Sequence, residues 1–578
     1  MYDISYEYAK NQQKILKIND IYIESKINPN KEAERIIEKE LSDYYTHIVF
    51  GYGVGYLSEK MLQKIINEDV NGGQLLIIDP LLDEIRDTVT GCKQYIYSMN
   101  DMNVLESVID FYLHQTHNRV KVICTKNYDT LFASEYTKFL NILKKRMQNF
   151  SNSLYTVTST SIQWQKNIIH NIMNLPTDGT LYDLEFETHI PVVVISGGPS
   201  LAKQLILLKK YEKCVLTIVS GSTINSVLQA NIVPDFVVSV DGRLSHYEQH
   251  YEKLKNISSS LIYSMETHFK IRKSFNKKGF AFFTHESQAL EEYAKKSLRL
   301  SMMGLNMGTS CANFAFTIAS LMTKGPIAFI GQDLAFTNNA THANTNKDFH
   351  ELTEEEIVKN QYFYVEGYND EEVLTSLTMN AMKESFEKQI RMVENPGRVF
   401  NCTEGGARIQ GMKQTSFLNF LSSNVEEKYE FQKERLLAST QEGKSTYVPF
   451  ENLSKEIIIY EEITSLIEGK LENLNKDNEL LQNENLILED LLQNNEELSI
   501  FIKTINELFL QVPIWKVKQT VDWQLHESYL SKKGDTDLEV QIHIYHKNIA
   551  MLEVYLKISK EFSEYIKEIL EEGSEKNV

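Results

Sequence analysis

Apolar residues fall into three textures along this chain. Up to about residue 184, compact apolar blocks such as Thr46-His-Ile-Val-Phe50 and Leu75-Leu-Ile-Ile-Asp79 flank a glycine turn, Gly51-Tyr-Gly53-Val-Gly55, and a helical stretch. A strand, turn, helix and strand in that order predict a first, smaller α/β unit. From about 185 to 420 the alternation becomes regular. Strands are predicted at Pro191–Ile195, Leu216–Val219, Phe236–Val240, Leu261–Tyr263, Ala281–Phe283 and Ile327–Ile330, with helices at Leu201–Lys210, Ser287–Lys296 and Ser310–Met322. Short, continuously apolar strands are those of a parallel sheet covered on both faces, so a central doubly wound, Rossmann-like domain is expected. From about 421 to 578 the chain is rich in Glu, Lys, Leu and Asn and poor in Gly and Pro, which predicts an all-α helical domain.

Within that tail, Leu471, Leu474, Asn478, Leu481, Asn485, Leu488 and Leu492 keep the 3,4 spacing of a heptad seam, with asparagine at two consecutive a-type positions. Antiparallel helices within one chain are the favoured reading; pairing between chains or docking of a partner is the alternative. Asp535-Thr-Asp537 has the D-x-D form of a metal-binding motif, but it follows Lys532-Lys-Gly534 in a polar stretch and reads as a turn.

Composition narrows the class. At 578 residues the chain exceeds one core, and the three textures predict three domains, 1–184, 185–420 and 421–578. No apolar run is long enough to span a bilayer, and the start, Met1-Tyr-Asp-Ile-Ser-Tyr-Glu-Tyr-Ala-Lys10, lacks the features of a secretory signal, so a cytoplasmic protein is expected. The five cysteines form no C-x-x-C pair, which signals neither a disulfide framework nor a zinc site. A net charge of -19 repels polyphosphate and argues against nucleic acid as partner. A small anion remains compatible where main-chain N–H groups or an arginine supply a local counter-charge.

The strongest chemical signal is Val192-Val-Val-Ile195-Ser196-Gly197-Gly198-Pro199-Ser200-Leu201, a strand entering a glycine turn ahead of a helix. Gly197 and Gly198 admit close main-chain approach to a phosphate, and Ser200 can cap the helix or donate to the anion. Ser220-Gly221-Ser222-Thr223 repeats the design at the end of the next strand. Asp241 closes a third strand, where a carboxylate suits ribose hydroxyls or a base amine. Asn306-Met-Gly308-Thr309-Ser310 opens a helix whose free N–H groups suit a phosphate, and the Ile327–Ile330 strand delivers Asp333 to the same rim, with His342 beyond. At the Gly51 turn two readings stay open: a nucleotide site with Asp79 on a ribose, or the favoured tight crossover without ligand, since Tyr56 stands where the dinucleotide fingerprint has glycine.

Gly197-Gly-Pro-Ser-Leu201, Val233-Pro-Asp-Phe236 with Asp241, Gly308-Thr-Ser310, Gly331-Gln-Asp-Leu-Ala335 with His342, and Cys402-Thr-Glu-Gly-Gly-Ala-Arg408 resemble the central-domain signatures of the motility accessory factors, whose layout the first unit and helical tail also match. That resemblance implies a glycosyltransferase that moves a nonulosonic acid, a sialic-acid-like sugar, from a CMP-activated donor to Ser or Thr of flagellin. The family's central domain is similar to bacterial sialyltransferases, so Gly197, Gly198, Pro199, Ser200, Gly308, Thr309 and Ser310 would hold the donor nucleotide. This chain departs from them in having Ser196 where they have asparagine and Ala335 where they have tyrosine, which shifts stabilisation of the leaving phosphate to Ser220, Ser222, Asn306 and main-chain donors. The chemistry then needs an arginine fork for the sugar carboxylate, suited to Arg408, and a base for the acceptor hydroxyl, with His342, Asp333 and Glu404 as candidates. No metal and no cofactor beyond the activated sugar are expected; a homo-oligomer is open. Two alternatives remain: a pyrophosphokinase acting from ATP on a hydroxymethylpterin, as in a related archaeal family, and a non-catalytic flagellin-binding or export factor.

Overall fold

A computed structural model describes residues 2–575 of the chain apart from 68, 69, 71, 90, 285–287, 306, 307, 309, 342–348, 443–448, 482–487 and 531–534. Two compact units form: Met1–Ser159 with Glu527–Ile544, and Thr160–His526 with Tyr545–Val578.

The first unit is built on a four-stranded parallel sheet in the order Ile96–Ser98, Gln74–Asp79, Thr46–Phe50, Val120–Cys124. Both predicted strands are present, and all five residues of Thr46–Phe50 are buried. An antiparallel meander of Ile4–Tyr8, Lys14–Ile18 and Ile21–Tyr22 precedes it. The glycine turn after Phe50 is closed by the unit's own side chains. Gly51 has φ +97°, and a Cβ there would run into the ring of Tyr128, which is fully buried. The Tyr128 hydroxyl donates to Asp79 at 3.1 Å, and Asp79 also accepts from Tyr52 N–H at 2.6 Å and Leu81 N–H at 2.7 Å. Asp79 is therefore spent on the turn, and the crossover reading fits. Glu24 seals the other side by accepting from the N–H groups of Leu16 and Val54, and burial pushes its carboxyl up to about 7.

The second unit carries a nine-stranded, wholly parallel sheet. Its order is Lys413–Gln414, Val399–Asn401, Ile327–Ile330, Val192–Ile195, Leu216–Ser220, Phe236–Ser239, Ser260–Ser264, Phe280–Phe282, Gly179–Thr180. All six predicted central strands are here. From Val192–Ile195 the chain winds outward in one direction, and from Ile327–Ile330 in the other. These two strands lie side by side, in register from Ile327 beside Val192 to Ile330 beside Ile195, and mark the topological switch point.

Alternation along the strands divides the core. Val192, Val194, Leu216 and Ile218 pack on the face covered by helix Cys311–Met322, whose Ala312, Ala315 and Ala319 let it lie close. Val193, Ile195 and Val219 pack on the opposite face beneath helices Leu201–Tyr211 and Phe417–Asn424. The predicted helix at Ser287–Lys296 appears as Gln288–Tyr293 followed by a π-helical turn, Ala294–Leu298. Between the switch-point strand and Val399–Asn401 the chain inserts an antiparallel hairpin, Phe363–Glu366 with Glu372–Thr375.

Past residue 420 the described chain is helical, as predicted. Helices Pro449–Leu481 and Leu488–Phe509 are joined by a Lys470–Glu497 ion pair at 3.8 Å, in keeping with pairing inside one chain; Asn485 of the heptad lies outside the described residues. Leu474 is buried while Leu492 is 44% exposed, so only part of the seam is covered. Asp535-Thr-Asp537 is a helix start: the Glu539 N–H donates to Thr536 Oγ1 and Thr536 N–H to the Glu539 carboxylate at 2.7 Å. Among the described residues no helix is long and apolar enough to cross a membrane.

Because the Gly51 turn combines positive φ with the packed Tyr128 ring, Gly51→Ala is expected to lower the stability of the first unit by about 2–4 kcal/mol. Hydrogen exchange of the amides of the Thr46–Phe50 strand in urea measures this, and an unchanged midpoint would show the turn to be open.

Candidate functional site

The carboxyl ends of the two switch-point strands define the site. Val192–Ile195 runs into Ser196-Gly197-Gly198-Pro199-Ser200, and Ile327–Ile330 into Gly331-Gln332-Asp333. Asp333 is 2% exposed and holds the two together: it accepts from Ser200 Oγ–H at 2.6 Å, from Ser200 N–H at 3.2 Å and from Thr337 Oγ1–H at 2.7 Å. Burial raises its pKa above the ordinary carboxylate value, against the pull of these bonds. Gly198 N–H donates to Gly331 O at 2.8 Å, and a Cβ on Gly198 would collide with the Asp333 carboxylate and approach Gly331 O to 2.6 Å. Gly198 is thus required by packing. The same bonds commit the Ser200 hydroxyl to Asp333, and Ser200 makes no side-chain cap to its helix.

A cavity of about 240 Å³ opens above these turns. Of the residues singled out from sequence, Ser196, Gly197, Gly198, Pro199, Ser220, Ser222, Ser310 and Asp333 line it. Gly197 N–H donates to nothing among the described residues, and Ser222 Oγ has no partner among them. Ser220 Oγ lies 3.3 Å from Ile195 O and 3.1 Å from Thr223 Oγ1. Helix Cys311–Met322 starts at the cavity, with Cys311 and Ala312 in its lining. Ser310 caps that helix, its side chain accepting from Asn313 N–H, and the N–H groups of Cys311 and Ala312 have no acceptor among the described residues. The Cys311 thiol donates to Val238 O at 2.9 Å and accepts from Gly221 N–H at 3.5 Å, which ties the helix start to the Ser220–Thr223 turn; burial pushes the thiol up to about 12. No Lys, Arg or His is in the described lining. The cavity is lined by main-chain N–H groups, a helix amino terminus and hydroxyls, donors of the kind that suit an anion, together with the Asp333 carboxylate.

Other residues from the sequence reading sit apart. Asp241 is outside the lining and bound to Arg243, at 3.0 and 3.1 Å from Nε and 2.5 Å from a terminal nitrogen; burial opposes its charge, but these bonds prevail and hold its pKa below the ordinary value. Gly308, at φ +109°, precedes the helix without lining the cavity. Glu404 accepts from Phe417 N–H at 2.7 Å, at the start of a helix, and lies outside the lining. Arg408 pairs with Asp370, and with Glu366 at 3.4 Å, and also lies outside it. Asn306, Thr309 and His342 lie outside the described residues, although Thr341, next to His342, lines the cavity. Gln332, Thr337, Met379 and Met382 were not singled out. Gln332 could have been found, standing between Gly331 and Asp333 at a strand end. The two methionines come from helix Leu377–Met392, which only the folded chain brings here.

Comparisons with known proteins follow this geometry. Residues 166–339 match the family described as 6-hydroxymethylpterin diphosphokinase MptE-like, a span that contains the glycine turn, the helix start and Asp333. No curated protein sequence matches the chain. Its fold is similar to that of the Maf glycosyltransferase from Magnetospirillum magneticum, with a TM-score of 0.52 at 14% identity over 98% of this chain and 90% of that one. At that identity the likeness is one of fold, and it takes in both compact units and the helical tail.

Gly198→Ala is expected to destabilise the second unit by about 2–3 kcal/mol, since the added methyl meets the buried carboxylate. Thermal unfolding measures the loss, and a wild-type melting point would show that Asp333 does not hold the turn.

Proposed function

We propose that the chain is a glycosyltransferase that moves a nonulosonic acid from a CMP-activated donor to Ser or Thr hydroxyls of flagellin in the cytoplasm, in support of flagellum assembly and motility. The observation that carries this reading is the set of unspent N–H and hydroxyl donors at the switch point, without a cationic side chain in the described lining and backed by a helix amino terminus. The fold likeness to a Maf glycosyltransferase along nearly the whole chain supports it.

In this reading the leaving phosphate of CMP takes hydrogen bonds from Gly197 N–H, the N–H groups of Cys311 and Ala312, and the hydroxyl of Ser222. As the bond from the sugar's anomeric carbon to the phosphate oxygen breaks, negative charge builds on that oxygen and these fixed donors stabilise it without rearrangement. The sugar's own carboxylate offsets the cationic character left on the ring. The acceptor hydroxyl attacks the anomeric carbon and gives its proton to a base. Asp333 and Glu404 are committed to structural hydrogen bonds, which leaves His342 for that duty. Arg408 would receive the sugar carboxylate by exchanging it for Asp370.

One observation favours a second reading. The family matched at 166–339 is described by its pterin diphosphokinase, so transfer of pyrophosphate from ATP to a pterin-like alcohol competes for the same cradle. A cavity without a cationic side chain in its described lining suits one phosphate better than three, and an added first unit and helical tail suit a large acceptor. A non-catalytic flagellin-binding factor would need no nucleotide.

A thermal-shift series with CMP, CDP, CTP and ATP separates these. At about 100 times its Kd, CMP should stabilise the chain by about 2.7 kcal/mol, seen as a rise of a few degrees. Preference for ATP moves the assignment to the pyrophosphokinase, and no response to any nucleotide overturns both enzymes. His342→Ala should lower transfer to flagellin by about 10²–10⁴-fold, read by mass spectrometry, while CMP still binds; undiminished transfer would remove His342 as base.

A further inference from the structure

Gln332 has a duty that its burial does not explain. It is 6% exposed, lines the cavity, and belongs to the strand end opposite the glycine turn. Its main-chain N–H donates to Thr403 Oγ1 at 3.3 Å, and its amide oxygen accepts from Ser196 Oγ–H at 2.6 Å. With the oxygen engaged by Ser196, the amide nitrogen is left with two N–H donors and no acceptor among the described residues. The nitrogen is not among the fully buried atoms that lack a partner, so its two N–H groups reach accessible space that a ligand can fill. The cavity beside it carries other unspent donors, Gly197 N–H, Ser222 Oγ–H and the first N–H groups of the Cys311 helix, and no cationic side chain in its described lining. With Gln332, donors from four chain segments line one space, whose buried Asp333 carboxylate is already engaged by Ser200 and Thr337, and they call for an oxyanion.

We infer that Gln332 is the specificity-determining side chain for the phosphomonoester of the donor nucleotide, with Ser196 as the positioning residue that turns its amide nitrogen toward the phosphate. This rests on the reading of the cavity as a nucleotide cradle and goes beyond it by naming the side chain that distinguishes a nucleoside monophosphate from the bare nucleoside. Thr403, in the loop before Arg408, accepts from the main-chain N–H of Gln332 and so anchors the residue's backbone, while Ser196 alone orients the side-chain amide.

The test is calorimetric titration of the full chain with CMP and, separately, with cytidine, for wild type, Gln332→Glu and Gln332→Met. Glutamate keeps the acceptor for Ser196 Oγ–H and replaces the donors by an anion; methionine keeps the volume and removes both. Glutamate is expected to weaken CMP by about 100-fold or more and methionine by about 10-fold, while cytidine binds all three proteins alike. Ser196→Ala, which leaves Gln332 in place but releases its oxygen, should weaken CMP by a few fold and spare cytidine. If wild type binds CMP and both Gln332 variants bind it equally well with unchanged melting points, the inference fails and the cradle reading stands. Equal loss for CMP and cytidine would also overturn it, by making Gln332 a structural residue. A wild-type chain that binds neither cytidine nor CMP would sink the cradle reading itself.

Discussion

The site depends on one buried carboxylate. Asp333 leaves the strand Ile327–Ile330 and takes three hydrogen bonds, two of them from Ser200 at the end of the glycine turn. A carboxylate with so little access to water is costly unless its lone pairs are met, so the bonds to Ser200 and Thr337 fix the turn as firmly as they satisfy the acid. Behind it, Ala407 N–H donates to Asp333 O at 2.7 Å, and Tyr368 N–H reaches Gly406 O at 2.8 Å, so the inserted hairpin and the Thr403–Arg408 loop are joined to the same point. The Ser200 end of the glycine turn takes its position from this contact.

Charge follows from that construction. The chain carries a net charge of -19, and the cavity has no cationic side chain in its described lining; its donors are main-chain N–H groups, a helix end, a hydroxyl and an amide. Such donors are aimed and do not titrate, so they discriminate by geometry and by number more than by total charge. That suits recognition of one phosphate that leaves with its nucleoside, and it makes the orientation of each donor matter. The arrangement of Ser196 and Gln332 is where side chains rather than main chain supply that orientation.

The central strands were legible because Val192–Ile195, Leu216–Ser220 and Ile327–Ile330 are apolar on both faces, a pattern that parallel burial imposes. Val399–Asn401 and the edge strand Lys413–Gln414 were not, being two or three residues long and set by pairing alone. The hairpin Phe363–Glu366 with Glu372–Thr375 escaped because each strand is only four residues long, the first alternating between half-buried and exposed and the second buried only at Leu374 and Thr375. At the site, glycine and small hydroxyl residues at strand ends pointed to the turns that line the cavity. What sequence could not tell was how each polar group is spent: Ser200 on Asp333, Glu404 on a helix end, Arg408 on Asp370, Asp241 on Arg243. In the first unit, three glycines and a strand-end acid had the look of a nucleotide turn, and only the position of Tyr128 shows that the protein fills it. A motif records which residues can approach a ligand, while packing decides whether space for one remains.

The central claim is that the switch-point turns hold the phosphate of a cytidine nucleotide. A crystal structure of the chain with CMP tests it most directly. The account predicts the phosphate within hydrogen-bond distance of Gly197 N–H and of the first N–H groups of the Cys311 helix, between the two switch-point strands. CMP seated elsewhere, with these donors facing only water, would contradict it.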